Sequence, residues 1–473
     1  MKSFSSISKV SAAFLLTVSI LGAAVTLEGG SRTAYAAENS QNQAAEGKGA
    51  RTSDEKIADW NAWAKENVYR LDTIQPSNGD GGADSFRDLN MLKPLLYDKR
   101  IVFLGESSHG VAEFNLAKTR LIQFLHQEMG YNVLAFESSL GNAALAYGKS
   151  GQQSAEQTLK KSIVGVWASK ETLPLFDYIH ASQTSRQPLI LTGFDMQLQY
   201  PLFDGSWLKD EAVAKRLAEA EQKLSNYSLG KELEVYRQEK ESLIEVYKEA
   251  LVSLQSDANQ DYLKINYPNN PKLAVLLERS LNDRIRVAEE YVEISIRSNI
   301  GLEAGDPAPF YESMTWRDRA MLDNLMWLAT QVYPNEKFIV WAHNDHIRKA
   351  HSEVMGTPYP VSLMGEMLSD EMKKYSYVLG LYPASGKTAD NLRKLHDVAP
   401  LDPGSIESIL SSAGSPYTFV DMRYRNNGAG SSWMFEPRFA YSWGMIPESI
   451  IARDQYDGIL LINDVNPPQY LSK

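Results

Sequence analysis

The chain alternates short apolar runs with amphipathic segments. Seven runs are rich in Val, Ile, Leu and Phe and have the length of buried strands: 101–104, 132–136, 189–194, 338–342, 377–381, 418–420 and 458–462. Apolar residues at helical spacing occupy segments between them: 113–128, 172–184 and 317–332. Strands that alternate with helices are typical of an α/β fold. We therefore predict a mainly parallel sheet flanked by helices on both faces.

Residues 205–300 follow a different pattern. They are rich in Glu, Lys, Leu and Ala and contain no apolar run of strand-like strength. This pattern predicts an all-helical insertion of two or three long helices, with breaks near 226–230 and 257–271. Because the insertion separates the third strand from the fourth, it divides the α/β domain into the parts 55–204 and 301–473. We expect the insertion to cover the carboxyl ends of the strands as a lid.

The N-terminus has the three-part layout of a secretory signal peptide. Lys2 and Lys9 precede an apolar stretch over 10–27, and the small-residue sequence Ala34-Tyr35-Ala36 follows it. We predict a signal peptide over 1–36 with cleavage after Ala36, and a secreted or extracytoplasmic protein. A single membrane anchor is the alternative. No later apolar run reaches the roughly 20 residues that cross a bilayer, so we expect no stable membrane span after cleavage.

Residues 37–54 are polar and without periodicity, which predicts a flexible tether before a first helix over 56–68. The full chain of 473 residues has 59 Asp and Glu against 48 Lys and Arg, a net charge of -11. Nucleic acids are bound mainly by Lys and Arg, so we expect no nucleic-acid partner. The sequence has no cysteine, which excludes a Cys nucleophile, thiolate-bound zinc and iron–sulfur clusters.

Polar residues able to do acid–base chemistry follow four of the predicted strands directly. Gly105-Glu106-Ser107-Ser108-His109-Gly110 follows the first, Glu137 the second, Asp195 the third, and His343-Asn344-Asp345-His346 the fourth. The carboxyl ends of parallel strands meet at one edge of the sheet, where ligands bind. We therefore predict one shared active site at that edge.

The ordered set of motifs resembles the erythromycin esterase family. The family pattern is Gly-Glu-x-x-His-Gly, a helix with an aromatic and a basic residue, a strand ending in Glu, Gly-Phe-Asp, Arg-Asp-x-x-Met and Ala-His-Asn-x-His. This chain carries it as Gly105 to Gly110, Phe114 with Lys118 and Arg120, Glu137, Gly193-Phe194-Asp195, Arg317-Asp318 and Ala342 to His346. The resemblance extends from about residue 56 to the C-terminus. It implies an α/β fold with a helical insertion, and hydrolysis of a macrolide lactone.

The resemblance also implies catalytic roles. His109 takes the place of the histidine that activates water, Glu106 and Glu137 match the acidic residues around it, and His343 matches the later histidine. An ester needs an activated water, and a neutral imidazole is a suitable general base near neutral pH. Either carboxylate is a candidate to fix the tautomer of His109, and His343 is a candidate to polarise the carbonyl.

Lys118 stands where some family members have Arg, nine residues after the histidine. Lys cannot make the planar two-pronged contact of Arg, and Arg120 is the candidate substitute. We expect Lys118 and Arg120, with His346, Asp195 and Arg317, to form the substrate-binding part of the site. For Asp195 and Arg317, the alternative is a buried pair that braces the strand ends.

Two other functions fit the same residues. The Glu and His side chains at the strand ends are potential ligands for Zn, Mn or Co, as in a metal-dependent hydrolase. A non-catalytic extracellular binding protein would keep the fold without turnover. A serine nucleophile is disfavoured because the G-x-S-x-G elbow is absent. The main prediction uses no metal and no cofactor: a small-molecule ester or lactone is cleaved by water.

Aromatic residues are concentrated after the sixth strand. These are Tyr424, Trp433, Phe435, Phe439, Tyr441 and Trp443. They are either core residues or a platform for an apolar ring or a sugar face.

Overall fold

The computed structural model describes residues 53–77, 86–196 and 204–472. The predicted signal peptide and most of the predicted tether lie outside these ranges. Within them, no helix is long and apolar enough to cross a membrane.

Helix α1 spans Ser53–Asn67, so its first two residues lie inside the segment predicted as a tether. Asp54 and Glu55 lie in its first turn, where carboxylates interact favourably with the helix dipole. Trp60 and Ala64, one turn apart, are buried on its inner face.

Strands occupy eleven segments of the described chain: β1 (Tyr69–Arg70), β2 (Ile101–Leu104), β3 (Tyr131–Ser139), β4 (Ile190–Asp195), β5 (Lys337–Trp341), β6 (Ser376–Ala389), β7 (Leu395–Asp397), β8 (Tyr417–Asp421), β9 (Arg438–Ser442), β10 (Ile446–Ile450) and β11 (Gly458–Val465). The main sheet has the order β1-β8-β11-β6-β2-β5-β3-β4, and β7 pairs with β6. β9 and β10 form a separate antiparallel hairpin.

The neighbouring strands β11, β6, β2, β5, β3 and β4 run parallel, which confirms the predicted mainly parallel sheet. The remaining strands are antiparallel to their neighbours: β8 to β11, β1 to β8, and β7 to β6. The apolar run predicted at 418–420 is therefore a strand, but it is antiparallel to the six parallel strands.

Helices flank the sheet on both faces. Before the insertion they are α2 (Leu92–Leu96), α3 (Ala112–Met129), α4 (Leu140–Gly148), α5 (Ala155–Ser162) and α6 (Leu173–Ser182). The insertion contains α7 (Glu211–Leu229), α8 (Leu233–Gln255), α9 (Asp257–Asn266), α10 (Leu273–Arg286) and α11 (Val292–Ala304). After it come α12 (Ala308–Trp327), α13 (Asn344–Ile347), α14 (Met364–Met367), α15 (Asp370–Lys374), α16 (Ile406–Ser411) and α17 (Ala452–Gln455).

The sheet separates two hydrophobic cores. All four residues of β2 are buried, as expected for a strand covered on both faces. Ile101 and Phe103 pack with residues of the insertion, whereas Val102 and Leu104 pack with residues of α3 and α6 on the opposite face. The period-two alternation of the strand therefore assigns neighbouring residues to different cores.

The insertion has more helices than predicted, and α11 crosses the predicted boundary at residue 300. Its apolar residues belong to the same core as Phe103, so the insertion forms a layer on one face of the sheet. Arg284 reaches the carboxyl edge and donates from Nη1 to the main-chain oxygen of Met196 at 2.8 Å. Its action as a lid stays a prediction.

Candidate active site

The carboxyl ends of four parallel strands lie level with one another. Leu104 of β2 and Phe136 of β3 are both paired with Trp341 of β5, and Phe136 is also paired with Gly193 of β4. The residues that follow these positions therefore meet at one edge, as the sequence predicts. They include Glu106, His109, Glu137, Asp195 and His343.

Glycines at both ends of the loop 105–110 allow it to lie against its neighbours. A Cβ atom on Gly105 would clash with the side-chain oxygen of Asn344, and one on Gly110 would clash with the main chain of Ala389. The loop is thus pressed between the ends of β5 and β6, which fixes the position of His109.

Glu106 is fully buried and is surrounded by donors. Its Oε1 accepts from Nδ1 of His109 at 2.7 Å and from Nε1 of Trp167 at 2.6 Å. Its Oε2 accepts from Nζ of Lys118 at 2.6 Å. Burial disfavours the charged form, but Lys118 and His109 outweigh that cost and hold the pKa of Glu106 below its usual value. Glu106 is therefore a carboxylate.

His109 is held in one tautomer by Glu106. A carboxylate only accepts hydrogen bonds, so Nδ1 of His109 carries a proton and the neutral ring has its lone pair on Nε2. Burial lowers the pKa of His109, while Glu106 opposes that effect. The neutral ring, with a free lone pair, is the form that can act as a general base.

The Lys118 side chain is enclosed by the protein and points to Glu106. The side chain is fully buried, bonds to Glu106, and lies over the ring of Trp341 with Nζ 4.5 Å from the ring centroid. Burial lowers the pKa of Lys118 to about 8, against the attraction of Glu106. The expectation that Lys118 binds substrate is corrected: it is the counter-ion of Glu106.

Arg120 lies outside the site. Its Nη1 and Nη2 donate to the carboxylate of Asp88 at 2.9 and 2.7 Å, and Nη1 also donates to the main-chain oxygen of Thr73. Residues two apart on a helix point in nearly opposite directions, so Arg120 cannot replace Lys118. The predicted substrate-binding role of Arg120 is therefore wrong.

Glu137 joins the strand ends instead of orienting His109. Its Oε2 accepts the main-chain N–H of His343 at 2.9 Å, and its Oε1 accepts from Nη2 of Arg317 at 3.0 Å. Burial raises the pKa of Glu137, but His346 and Arg317 outweigh this and hold the pKa well below its usual value. Of the two candidate carboxylates, only Glu106 contacts the ring of His109.

Arg317 and Asp195 form a buried pair. Nη2 of Arg317 lies 2.7 Å from Oδ2 of Asp195, and the same nitrogen reaches Glu137. A guanidinium shared between the ends of β3 and β4 cross-links these two strands. The structure favours the bracing alternative for this pair over substrate contact.

His346 is the cation of a second cluster. Its Nδ1 lies 2.8 Å from Oδ1 of Asp318, and its Nε2 lies 3.3 Å from Oε1 of Glu137. Burial opposes the charge, but the two carboxylates raise the pKa of His346 to about 10. Nη1 of Arg317 lies 3.4 Å from the same Nε2, and since both are donors they share the carboxylate of Glu137. His346 thus links the end of β3, through Glu137, to Asp318 of α12.

His343 has the opposite tautomer to His109. Its Nδ1 accepts the main-chain N–H of Asp345 at 3.3 Å, so the neutral ring carries its proton on Nε2. Oδ2 of Asp345 also lies 3.2 Å from Nδ1. In the tautomer with Nδ1 as the acceptor, Nε2 carries the proton and is a donor. This atom is buried and has no hydrogen-bond partner among the described residues.

Four rings are packed together at this point. The ring centroids of His109 and His343 are 4.9 Å apart. Trp167 packs edge-on against His109 at 4.8 Å, and Trp443 stacks on His343 at 5.1 Å. Of the aromatic residues crowded after β8, Trp433 and Tyr441 are core residues, whereas Trp443 lies in the site.

The donor atoms fit internal hydrogen bonds better than a metal ion. Among the described residues, no group of three or more His, Cys, Asp or Glu side chains is arranged to hold a metal ion. Lys118 and Arg317 instead supply positive charge to the carboxylates at these strand ends.

Sequence reasoning missed two contributors to the site. Trp167 lies in irregular chain between α5 and α6, and Tyr359 lies in a loop and donates to Oδ2 of Asp345. Asp345 was placed at the strand end from the sequence but was given no role of its own.

Comparison with known proteins agrees with this architecture. A family model described as Erythromycin esterase matches residues 126–465. YbfO of Bacillus subtilis (strain 168), whose name describes it as a hydrolase, is 34% identical over 426 residues, which is 88% of this chain and 92% of YbfO. An Escherichia coli protein named erythromycin esterase type II is 21% identical over 368 residues, covering 72% of this chain and 84% of that protein.

Solved structures share the fold. A Bacillus cereus protein has a TM-score of 0.65 at 21% identity, over 88% of this chain and 99% of its own. An erythromycin esterase mutant in its open conformation has a TM-score of 0.56 at 17% identity, over 86% of this chain and 98% of its own. At these identities the likeness concerns the fold alone.

The fold and the relatives identify the chain as a hydrolase with a mixed α/β architecture. The family model covers well over half of the chain. The chain belongs to the erythromycin esterase family.

Proposed function

We propose that this protein hydrolyses a carboxylic ester or lactone with a water molecule that His109 deprotonates. One observation carries the proposal: Nδ1 of His109 is bonded to the Glu106 carboxylate at 2.7 Å, which leaves Nε2 as a base, and the ring of His343 lies beside it. A base and a hydrogen-bond donor set side by side suit attack on a carbonyl group.

The reaction proceeds in two steps. Water attacks the carbonyl carbon and gives its proton to Nε2 of His109, while Nε2–H of His343 donates to the developing oxyanion. The tetrahedral intermediate then collapses, the C–O bond to the alcohol breaks, and the imidazolium of His109 returns the proton to the departing alkoxide. Glu106 stabilises the imidazolium, and no metal takes part.

The substrate and the place of action belong to the same proposal. The predicted signal peptide over 1–36 supports action outside the cytoplasm. A macrolide lactone is the first substrate to test because an Escherichia coli relative is named erythromycin esterase type II.

The test is mass spectrometry of a fourteen-membered macrolide and a panel of simple esters, incubated with chelator-treated protein. We expect a gain of one water on at least one substrate, lost in His109→Ala and kept in Arg120→Leu. Toward acidic pH, kcat/KM should fall as His109 becomes protonated, with a midpoint below the ordinary histidine pKa of 6.5 because burial lowers the pKa of His109. Activity that appears only after Zn, Mn or Co is added would replace this mechanism with a metal-dependent one. Equal turnover by His109→Ala would refute it.

A further inference from the structure

Trp443 lies at the turn of the β9–β10 hairpin in an unusual backbone conformation. Its φ angle is 56°, in the left-handed region that side chains with a Cβ rarely adopt. Its N–H donates to the main-chain oxygen of Ser107 at 2.7 Å, and its carbonyl accepts from Oγ1 of Thr388 at 3.2 Å. These two bonds hold a bulky residue in a strained conformation, and such strain often marks a functional position.

The strained backbone places the indole against both histidines of the proposed reaction. Trp443 stacks on His343 with an interplanar angle of 27°, and its ring centroid lies 5.4 Å from that of His109 at 88°. The indole therefore lies beside the rings of both proposed catalytic histidines.

Solvent reaches this group of rings at two places. His343 and Trp167 are buried, with 3% and 1% exposure, whereas His109 and Trp443 are only partly buried. His109 and Trp443, whose rings are in contact, are thus the two members of the group that solvent reaches. An indole offers a wide, flat, apolar surface that packs well against a ring and less well against a flexible chain.

We propose that Trp443 is a substrate-contacting residue that selects esters with an apolar ring next to the scissile carbonyl. The inference rests on the proposed ester hydrolysis, and it specifies the substrate class as esters that carry an apolar ring. A flexible chain loses rotational freedom when it lies against the indole, whereas a ring does not. The indole thus favours the cyclic substrate.

Two esters with equal carbon numbers test the proposal: methyl cyclohexanecarboxylate and methyl heptanoate. Hydrolysis is followed by titration of released acid, in wild type, Trp443→Phe, Trp443→Leu and Trp443→Asn. Asn tolerates the left-handed backbone, so that variant separates the loss of the indole from a failure to fold. Trp63→Leu is the matched control, since Trp63 is a partly buried tryptophan that packs on Trp433 away from the site.

We expect kcat/KM for the cyclic ester to fall roughly 3- to 10-fold in Trp443→Leu and Trp443→Asn, mainly through KM. The linear ester should change much less, and Trp443→Phe should keep most of the preference. Equal losses on both esters, or none on either, would overturn the proposal while hydrolysis stands.

A binding measurement keeps the test valid if the wild type hydrolyses neither ester. Saturation-transfer NMR compares cyclohexyl methyl ketone with 2-octanone, which have equal carbon numbers and no ester bond. Preferential binding of the cyclic ketone, lost in Trp443→Asn, would support the role of Trp443 even though the proposed reaction had failed. No preference in the wild type would refute it.

Discussion

Nδ1 of His109 lies 2.7 Å from Oε1 of Glu106, and the two residues are only three positions apart in a loop that follows a strand. This contact sets the tautomer of the ring with a charge that is itself buried. Trp167 and Lys118 donate to the same carboxylate, so Glu106 is fixed from several directions. The contact is the centre of the proposed chemistry, and it leads to the first prediction.

Glu106→Gln should lower kcat by about 10²- to 10⁴-fold, the usual contribution of a positioned general base. The amide has no charge to stabilise the imidazolium, and it no longer demands a proton on Nδ1 of His109. Steady-state kinetics on a substrate that the mass-spectrometric test yields measures the change.

Glu221→Gln is the matched control for that variant. Glu221 is another buried carboxylate, bonded to Arg284 at 3.0 Å and to the hydroxyl of Tyr247 at 2.8 Å inside the insertion. Its substitution should reduce stability while kcat stays close to that of the wild type. A similar loss of kcat in both variants would mean that Glu106 acts through stability alone.

Arg120→Leu should lower the free energy of unfolding by roughly 3–5 kcal/mol and leave the kinetic constants unchanged. The substitution removes one partner of a buried ion pair and leaves the charge of Asp88 without it. Urea denaturation measures the loss. The double variant Arg120→Leu with Asp88→Leu should recover part of it, because no unpaired charge then remains. A raised KM in Arg120→Leu would restore Arg120 to the substrate site.

Stability should fall as the pH rises from 6.5 to 10, because the pKa of His346 is raised to about 10 in the folded protein. The cation between Asp318 and Glu137 stabilises the fold fully below the unfolded pKa of 6.5, and this contribution is lost as the pH passes through the folded value. One group of this kind changes the free energy of unfolding by up to about 1.4 kcal/mol per pH unit. Denaturation midpoints across this range measure the slope, and His346→Gln should flatten it. An unchanged slope in the variant would show that other groups cause it.

Glu407→Gln should become more stable than the wild type as the pH rises from 4.5 to 8. Glu407 is fully buried, its Oε1 accepts the N–H of Tyr441 at 2.7 Å, and burial raises the pKa of Glu407 to about 8. In that interval the wild type must take up a proton to fold, whereas the amide need not. Thermal unfolding of both proteins at several pH values measures the difference. A constant difference would indicate that Glu407 is already charged in the folded protein.

The strand ends could be read from the sequence, because an apolar run that stops at a charged residue shows both where a strand lies and where it ends. That signal gave Glu106, His109, Glu137, Asp195 and His343. It could not show which carboxylate meets which ring, since that depends on distances between strands.

The basic residues were harder to place from sequence. Lys118 and Arg120 lie on the same helix, and their spacing alone puts them on different sides. Which side faces the site is decided by packing, and the partner of Arg120, Asp88, precedes the first strand of the parallel group. The insertion was predictable as helical from its composition, but its packing on the sheet face depends on apolar residues far apart in the chain.

The stacking of Trp443 on His343 also gives the protein an internal optical signal. Protonated imidazole quenches indole fluorescence by electron transfer, so the emission of Trp443 should report the charge on the ring beneath it. The chain has nine tryptophans, and the difference spectrum between wild type and Trp443→Phe isolates this one. Because Trp167 contacts His109 in the same cluster, a second difference spectrum would follow the other histidine. Since Trp443 contacts both histidines, the part of its signal that the Trp167 signal does not share would belong to His343, in the intact protein and without any added label.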